Sequence, residues 1–184
     1  MNIPNSITLA RILLVPLIIW LILKEERMAA FVIFVISGIS DALDGLIAKQ
    51  FNAVTRLGKY LDPLADKILL VSIYVTLGVK ADIPIWLVLL VVSRDLLIVG
   101  GILFSYLMEV FVKIKPSRIS KVNTFVQILL ASVVLGAGAF ELELGYVIPV
   151  IVYTVAVTTI LSGYDYLRMW MREYNQDGSG GDLS

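Results

Sequence analysis

Asp41-Ala42-Leu43-Asp44-Gly45-Leu46-Ile47-Ala48-Lys49 and, after a gap of eight residues, Gly58-Lys59-Tyr60-Leu61-Asp62-Pro63-Leu64-Ala65-Asp66 set four carboxylates between and partly inside long apolar runs. With residues 33–49 helical, Asp41, Asp44, Gly45 and Ala48 fall at i, i+3, i+4 and i+7, on one face. Gly58, Asp62 and Asp66 repeat the arrangement at i, i+4 and i+8 if the next helix already runs through Gly58. Asp62-Pro63 would otherwise cap a helix that starts later, leaving Gly58 in the loop. The short connection 52–56 lets the two helices return as antiparallel neighbours with their acidic faces opposed. Insertion scales charge roughly 2.5–3.5 kcal/mol for an Asp at the centre of a spanning helix, so four uncompensated carboxylates cost on the order of 10 kcal/mol. Cations between them remove that cost. Two divalent ions would cancel the charge, and oxygen-only ligation points to hard Mg2+ or Mn2+, with Ca2+ as an alternative occupant, over Zn2+. The plainer reading is an acidic hairpin held by ion pairs.

The surroundings of this stretch define the class of protein. Hydrophobic residues make up 59% of the 184 and mean hydropathy is +0.91, outside the range of soluble domains. Cys and His are both absent, which excludes disulfides, thiol nucleophiles, Ser-His-Asp triads and the usual zinc sites. Acid-base chemistry falls to carboxylates, Lys or Tyr. Six segments approach the length of a membrane-spanning helix: about 12–23, 29–49, 60–79, 84–108, 122–140 and 146–169. The expected fold is therefore all-α: a polytopic membrane protein with six transmembrane helices. A short amphipathic helix at 1–11 precedes them at the interface, the six-helix domain covers 12–172, and a disordered polar tail covers 173–184. No removable signal peptide is expected, because no basic stretch precedes the first apolar run.

Basic residues are distributed unevenly. Lys49, Arg56, Lys59, Lys67, Lys113, Lys115, Arg118, Lys121, Arg168 and Arg172 fall on one side, and Lys24, Arg27 and Lys80 on the other. The positive-inside rule places the acidic cluster and both termini in the cytoplasm. Arg94-Asp95 lies roughly 15 Å into the fourth helix by helical rise, near mid-bilayer. Two roles stay open for the pair: an interhelical salt bridge, or Arg94 reaching an acidic ligand or the carboxylates. Lys113-x-Lys115-Pro116-Ser117-Arg118-Ile119-Ser120-Lys121-Val122-Asn123-Thr124-x2-Gln127 enters the fifth helix. Arg118 and Lys121 at a helix N-terminus suit a phosphate, and Asn123 and Gln127 make the polar run too long for the plain start of a span. Arg94, Arg118, Lys121, Asn123 and Gln127 are thus a candidate binding site. Gly38 with Ala42, Gly100 with Gly101, and Gly136 with Gly138 mark close helix packing or a homodimer.

The Asp-Gly-Ala-Gly-Asp spacing resembles that of the CDP-alcohol phosphatidyltransferases. In that family Arg follows the Ala, where this chain has Lys49. The charge is kept, but the bidentate grip on phosphate is not. Ile3-Pro4-Asn5-x2-Thr8-x2-Arg11 is similar to the family's N-terminal segment near the nucleotide, and the resemblance extends from Ile3 to Leu167. It implies transfer of the phosphatidyl group of CDP-diacylglycerol to an alcohol, with CMP released, and would make Arg94, Arg118, Lys121, Asn123 and Gln127 the acceptor site. Asp41, Asp44, Asp62 and Asp66 would then hold the metals, Asp66 would serve as the catalytic base, and Asn5, Thr8, Arg11, Asp44, Gly45, Lys49 and Gly58 would bind CDP-diacylglycerol. Within the family, Ile119-Ser120-Lys121-Val122-Asn123-Thr124, Ser93-Arg94-Asp95 and Asp62-Pro63-Leu64-Ala65-Asp66-Lys67 are similar to the mitochondrial-type cardiolipin synthases, whose acceptor is phosphatidylglycerol. Phosphatidylglycerophosphate synthases, whose acceptor is glycerol 3-phosphate, are similar over the same length but commonly carry Lys where Asn123 stands. The expected setting is the bilayer of a bacterial inner membrane, with the mitochondrial inner membrane a lesser alternative, and no nucleic-acid partner. Cation transport is the rival in a different class, although no internal repeat supports it.

Overall fold

The computed structural model describes the backbone of residues 3–50, 58–107 and 117–179, and the side chains of 12–40, 67–100 and 117–171. The described residues form six helices: α1 (Ile3–Leu23), α2 (Arg27–Gln50), α3 (Gly58–Val79), α4 (Ile85–Leu107), α5 (Arg118–Ala139) and α6 (Val147–Ser179). Short turns at 24–26, 80–84 and 140–146 join them into three antiparallel hairpins.

The helices pack as a ring in the order α1, α2, α5, α6, α4, α3, which closes where α3 meets α1; α3 and α5 also touch across the middle. Ile18, Ile73, Tyr74, Leu77, Leu87, Val91, Leu130 and Val155 fill the interior, all essentially inaccessible. The outer faces are apolar too, with Leu13, Trp20, Leu89, Leu96, Phe125, Tyr153 and Ile160 among many large side chains left exposed. Such an exterior matches an apolar solvent. Arg118–Ala139 and Val147–Met171 are each long and apolar enough to cross a membrane.

The three turns lie at one end and are tied to one another. Arg27 of the first pairs with Asp82 of the second at 3.3 Å, and Lys80 of the second pairs with Glu25 of the first. The Lys80 hydrogen bond and charge hold the Glu25 carboxyl below its usual range. Gly138, just before the third turn, makes room for Arg27: a Cβ there would lie 2.7 Å from Arg27 Cδ and Nη1. The turns also share one backbone device. The amides of Glu26, Asp82 and Leu142 each donate back to the carbonyl five residues earlier, at 3.0, 2.9 and 2.9 Å. The residue before each is left-handed, with φ of 63° at Glu25, 60° at Ala81 and 52° at Glu141. This is the Schellman ending of a helix, built three times without glycine.

Several boundaries differ from the sequence-based expectation. α1 runs unbroken from Ile3 to Leu23, so 1–11 is not a separate helix. Thr8 to Val15 contains neither Gly nor Pro, and a helix once nucleated propagates through such a stretch. α3 already starts at Gly58, so Asp62 does not cap it. α6 continues to Ser179, past the expected end at Arg172. Among the described residues α2 and α3 are linked through α1 and α5 instead of packing directly on each other.

Candidate functional site

Asp41, Asp44, Gly45, Ala48 and Lys49 lie on the continuous backbone of α2, and Gly58, Asp62 and Asp66 on that of α3. The i, i+3 and i, i+4 registers expected for the acidic faces are therefore met by the backbone. The side chains of these residues, like those of Asn5, Thr8 and Arg11, lie outside the described residues. The chemistry of the donor set fits a hard divalent cation: four carboxylates at helical spacing in a chain with no sulfur or imidazole donor other than methionine. Among the described residues no group of three or more Asp, Glu, His or Cys is placed to hold a metal ion.

One residue beyond Asp66, Lys67 enters a cluster whose other charged members are buried. Lys67 Nζ donates to both oxygens of Asp95, at 2.8 Å each. Arg94 Nη1 donates to Asp95 Oδ1 at 2.8 Å, and Arg94 Nη2 donates to Ser120 Oγ at 2.7 Å and to Ser162 Oγ. The Arg94 and Asp95 side chains are only 5% and 7% exposed, against 29% for Lys67. The cluster thus joins α3, α4, α5 and α6. Ser117 caps α5 beside it, its hydroxyl accepting from the Ser120 amide at 3.2 Å. A Cβ at Gly163 of α6 would meet Arg94 Cγ at 3.8 Å, an ordinary van der Waals contact. Arg94 Nε has no partner among the described residues.

Deeper along the inner face of α5 lie Asn123 and Gln127, both fully buried. Asn123 Oδ1 accepts from the hydroxyls of Thr158 and Thr159 at 2.9 Å each, while its Nδ2 has no partner among the described residues. Neither polar atom of the Gln127 amide has a partner among the described residues, and its backbone carbonyl accepts from Tyr74 Oη at 3.0 Å. A buried amide left without any partner costs about 1–3 kcal/mol. Of the five expected acceptor residues, then, Arg94, Asn123 and Gln127 share the interior, whereas Arg118 and Lys121 are exposed on the outside of α5. The structure does not bring Arg118 or Lys121 to Arg94. It adds Lys67, Ser120, Ser162 and Thr159, which the sequence reading did not assign to a site. Ser120 was legible, since 120, 123 and 127 follow one helical face.

The model of the CDP-alcohol phosphatidyltransferase family matches residues 1–162, and the chain belongs to that family. It is 37% identical over 172 residues to a CDP-diacylglycerol-glycerol-3-phosphate 3-phosphatidyltransferase of Rickettsia bellii, covering 91% of this chain and 94% of the relative. It is also 33% identical over 181 residues to a cardiolipin synthase (CMP-forming) of Rattus norvegicus, covering 90% of this chain and 60% of the relative. A chloroplastic CDP-diacylglycerol-glycerol-3-phosphate 3-phosphatidyltransferase of Oryza sativa is 36% identical over 184 residues, with 90% and 56% covered.

Proposed function

We propose that this chain is a six-span membrane enzyme that transfers the phosphatidyl group of CDP-diacylglycerol to a glycerol-bearing acceptor and releases CMP. The observation that carries the reading is the unbroken helical backbone beneath the two halves of the acidic motif, in a chain that belongs to the family. Asp41, Asp44, Asp62 and Asp66 would hold Mg2+ or Mn2+, ions that neutralise a diphosphate and stabilise the leaving oxygen when bound. Asp66 takes the proton of the acceptor hydroxyl as its oxygen attacks the lipid-side phosphorus in line and the bond to the CMP oxygen breaks. Lys49 contacts the diphosphate, and Gly45 and Gly58 leave room for the nucleotide, next to Asn5, Thr8 and Arg11. The acceptor's own phosphate faces Arg94, the buried cation at the level of Ser120.

Of the two acceptors, phosphatidylglycerol is favoured, because the uncharged Asn123 stands on the inner face of α5 and Arg118 and Lys121 are exposed outside. A dianionic phosphomonoester gains more from converging cations than a phosphodiester does. Glycerol 3-phosphate is the second reading, favoured by the Rickettsia relative, which this chain matches over nearly its whole length. The active end, opposite the three tied turns, faces the cytoplasm of a bacterial inner membrane. The deciding assay gives purified protein CDP-diacylglycerol and Mg2+ or Mn2+ with one acceptor or the other. Cardiolipin formed from phosphatidylglycerol supports the first reading; phosphatidylglycerophosphate alone supports the second; no CMP with either overturns both.

A further inference from the structure

Lys67, Arg94 and Asp95 form a cluster of unequal charge, two cations to one carboxylate. Asp95 is the shared acceptor, taking two hydrogen bonds from the Lys67 ammonium and one from the Arg94 guanidinium. The other two described partners, Ser120 and Ser162, are neutral hydroxyls. Among the described residues one positive charge is therefore left over on a side chain that is almost wholly buried, with Arg94 Nε unpartnered there. The carboxylate is what holds the surplus at one unit instead of two.

We propose that Asp95 is a specificity-determining residue: by cancelling one of the two cations that meet on it, it matches the site to an acceptor phosphate bearing one negative charge, a phosphodiester, over one bearing two, a phosphomonoester. This deepens the reading that the acceptor's phosphate lies at Arg94 and rests on it. Interactions between unit charges a few ångströms apart in a partly screened interior change affinity by about tenfold or more for each unit added. The discrimination follows the net charge of the cluster and no particular contact.

The test is a charge cycle on the full-length protein in lipid nanodiscs. Lys67→Met lowers the net charge of the cluster to zero, Asp95→Asn raises it to two, and the double variant restores one. Glycerol 3-phosphate, as acceptor or as competitive inhibitor against phosphatidylglycerol, should bind about tenfold more tightly to Asp95→Asn and about tenfold more weakly to Lys67→Met. The double variant should return to within about threefold of the starting protein, and KM for CDP-diacylglycerol should move by less than about threefold throughout. A merely structural role predicts another pattern: both single variants lose affinity for every substrate, and the double variant loses most. That pattern overturns the proposal. If Asp95→Asn is not recovered folded, Lys67→Met and the double variant decide: adding Asp95→Asn either restores the affinity lost in Lys67→Met or, by failing to, overturns the inference. Failure of the cycle with CMP release intact sinks this inference alone, whereas absence of CMP release from the starting protein sinks the proposed function with it.

Discussion

Asp66 is the last carboxylate of the acidic face of α3, one residue before the lysine that Asp95 holds. Replacing it by Asn removes the proposed base but only one of four proposed metal ligands. Asp66→Asn should therefore abolish CMP release, by about 100-fold or more, while CDP-diacylglycerol binding stays within about tenfold. Release near the starting rate from purified Asp66→Asn protein would remove Asp66 from that role. At this scale the sequence exposed what a pattern can expose. Arg94-Asp95 stood out because two charges in an apolar run need a partner, and each indeed pairs with the other. Lys67 did not stand out: next to the apolar run of α3 it reads as a flanking charge, and only the packing of α3 on α4 shows that it reaches Asp95. Asn123 and Gln127 were legible as polar and inward, but their burial against Thr159 and Tyr74 depends on helices that are distant in the chain.

At the scale of the element, the helix ends were the least legible feature. Helices that stop in a left-handed residue usually announce it with Gly or Asn, whereas here Glu25, Ala81 and Glu141 occupy that conformation. Ala81 is exposed, so Ala81→Gly should relieve strain of about 1 kcal/mol, partly offset by the extra freedom of glycine in the unfolded chain. A modest rise in the thermal midpoint in detergent is expected; a fall would show that the turn gains nothing from the freedom of glycine. The α3/α4 hairpin depends on Gly78 in the opposite way. A Cβ there would lie 2.7 Å from Val88 Cγ2 and 3.4 Å from Ile85 Cδ1, so Gly78→Leu should force the pair apart and lower stability by about 1–3 kcal/mol. The same midpoint measurement checks it, and an unchanged value would mean that Val88 rotates away without cost.

For the whole molecule, hydropathy was enough to lay out six helices, and the residue order alone could not supply their arrangement in a ring. Neighbours such as α2 with α5 and α4 with α6 arise from shape, since every helix is apolar on most sides and the hydrophobic pattern does not distinguish partners. The proposed topology puts both termini and the connection 52–56 in the cytoplasm. Because the chain has no cysteine, single cysteines at Glu25, Thr55 and Glu143 can be labelled from one side of sealed vesicles. Thr55 should react from one side and the other two from the opposite side; Thr55 and Glu25 reacting together would overturn the arrangement. The ring also sets the order of events at the ribosome. Ser120 and Ser162 lie in the last hairpin of the chain, so Arg94 and Asp95 emerge from the ribosome ahead of both hydroxyls. Lys67 precedes them on the other arm of their own hairpin, and in the proposed six-span topology its contact with Asp95 would give the α3/α4 pair an internal counterion on entering lipid. In the proposed topology the same ion pair would thus steady the hairpin during synthesis as well as in the finished protein.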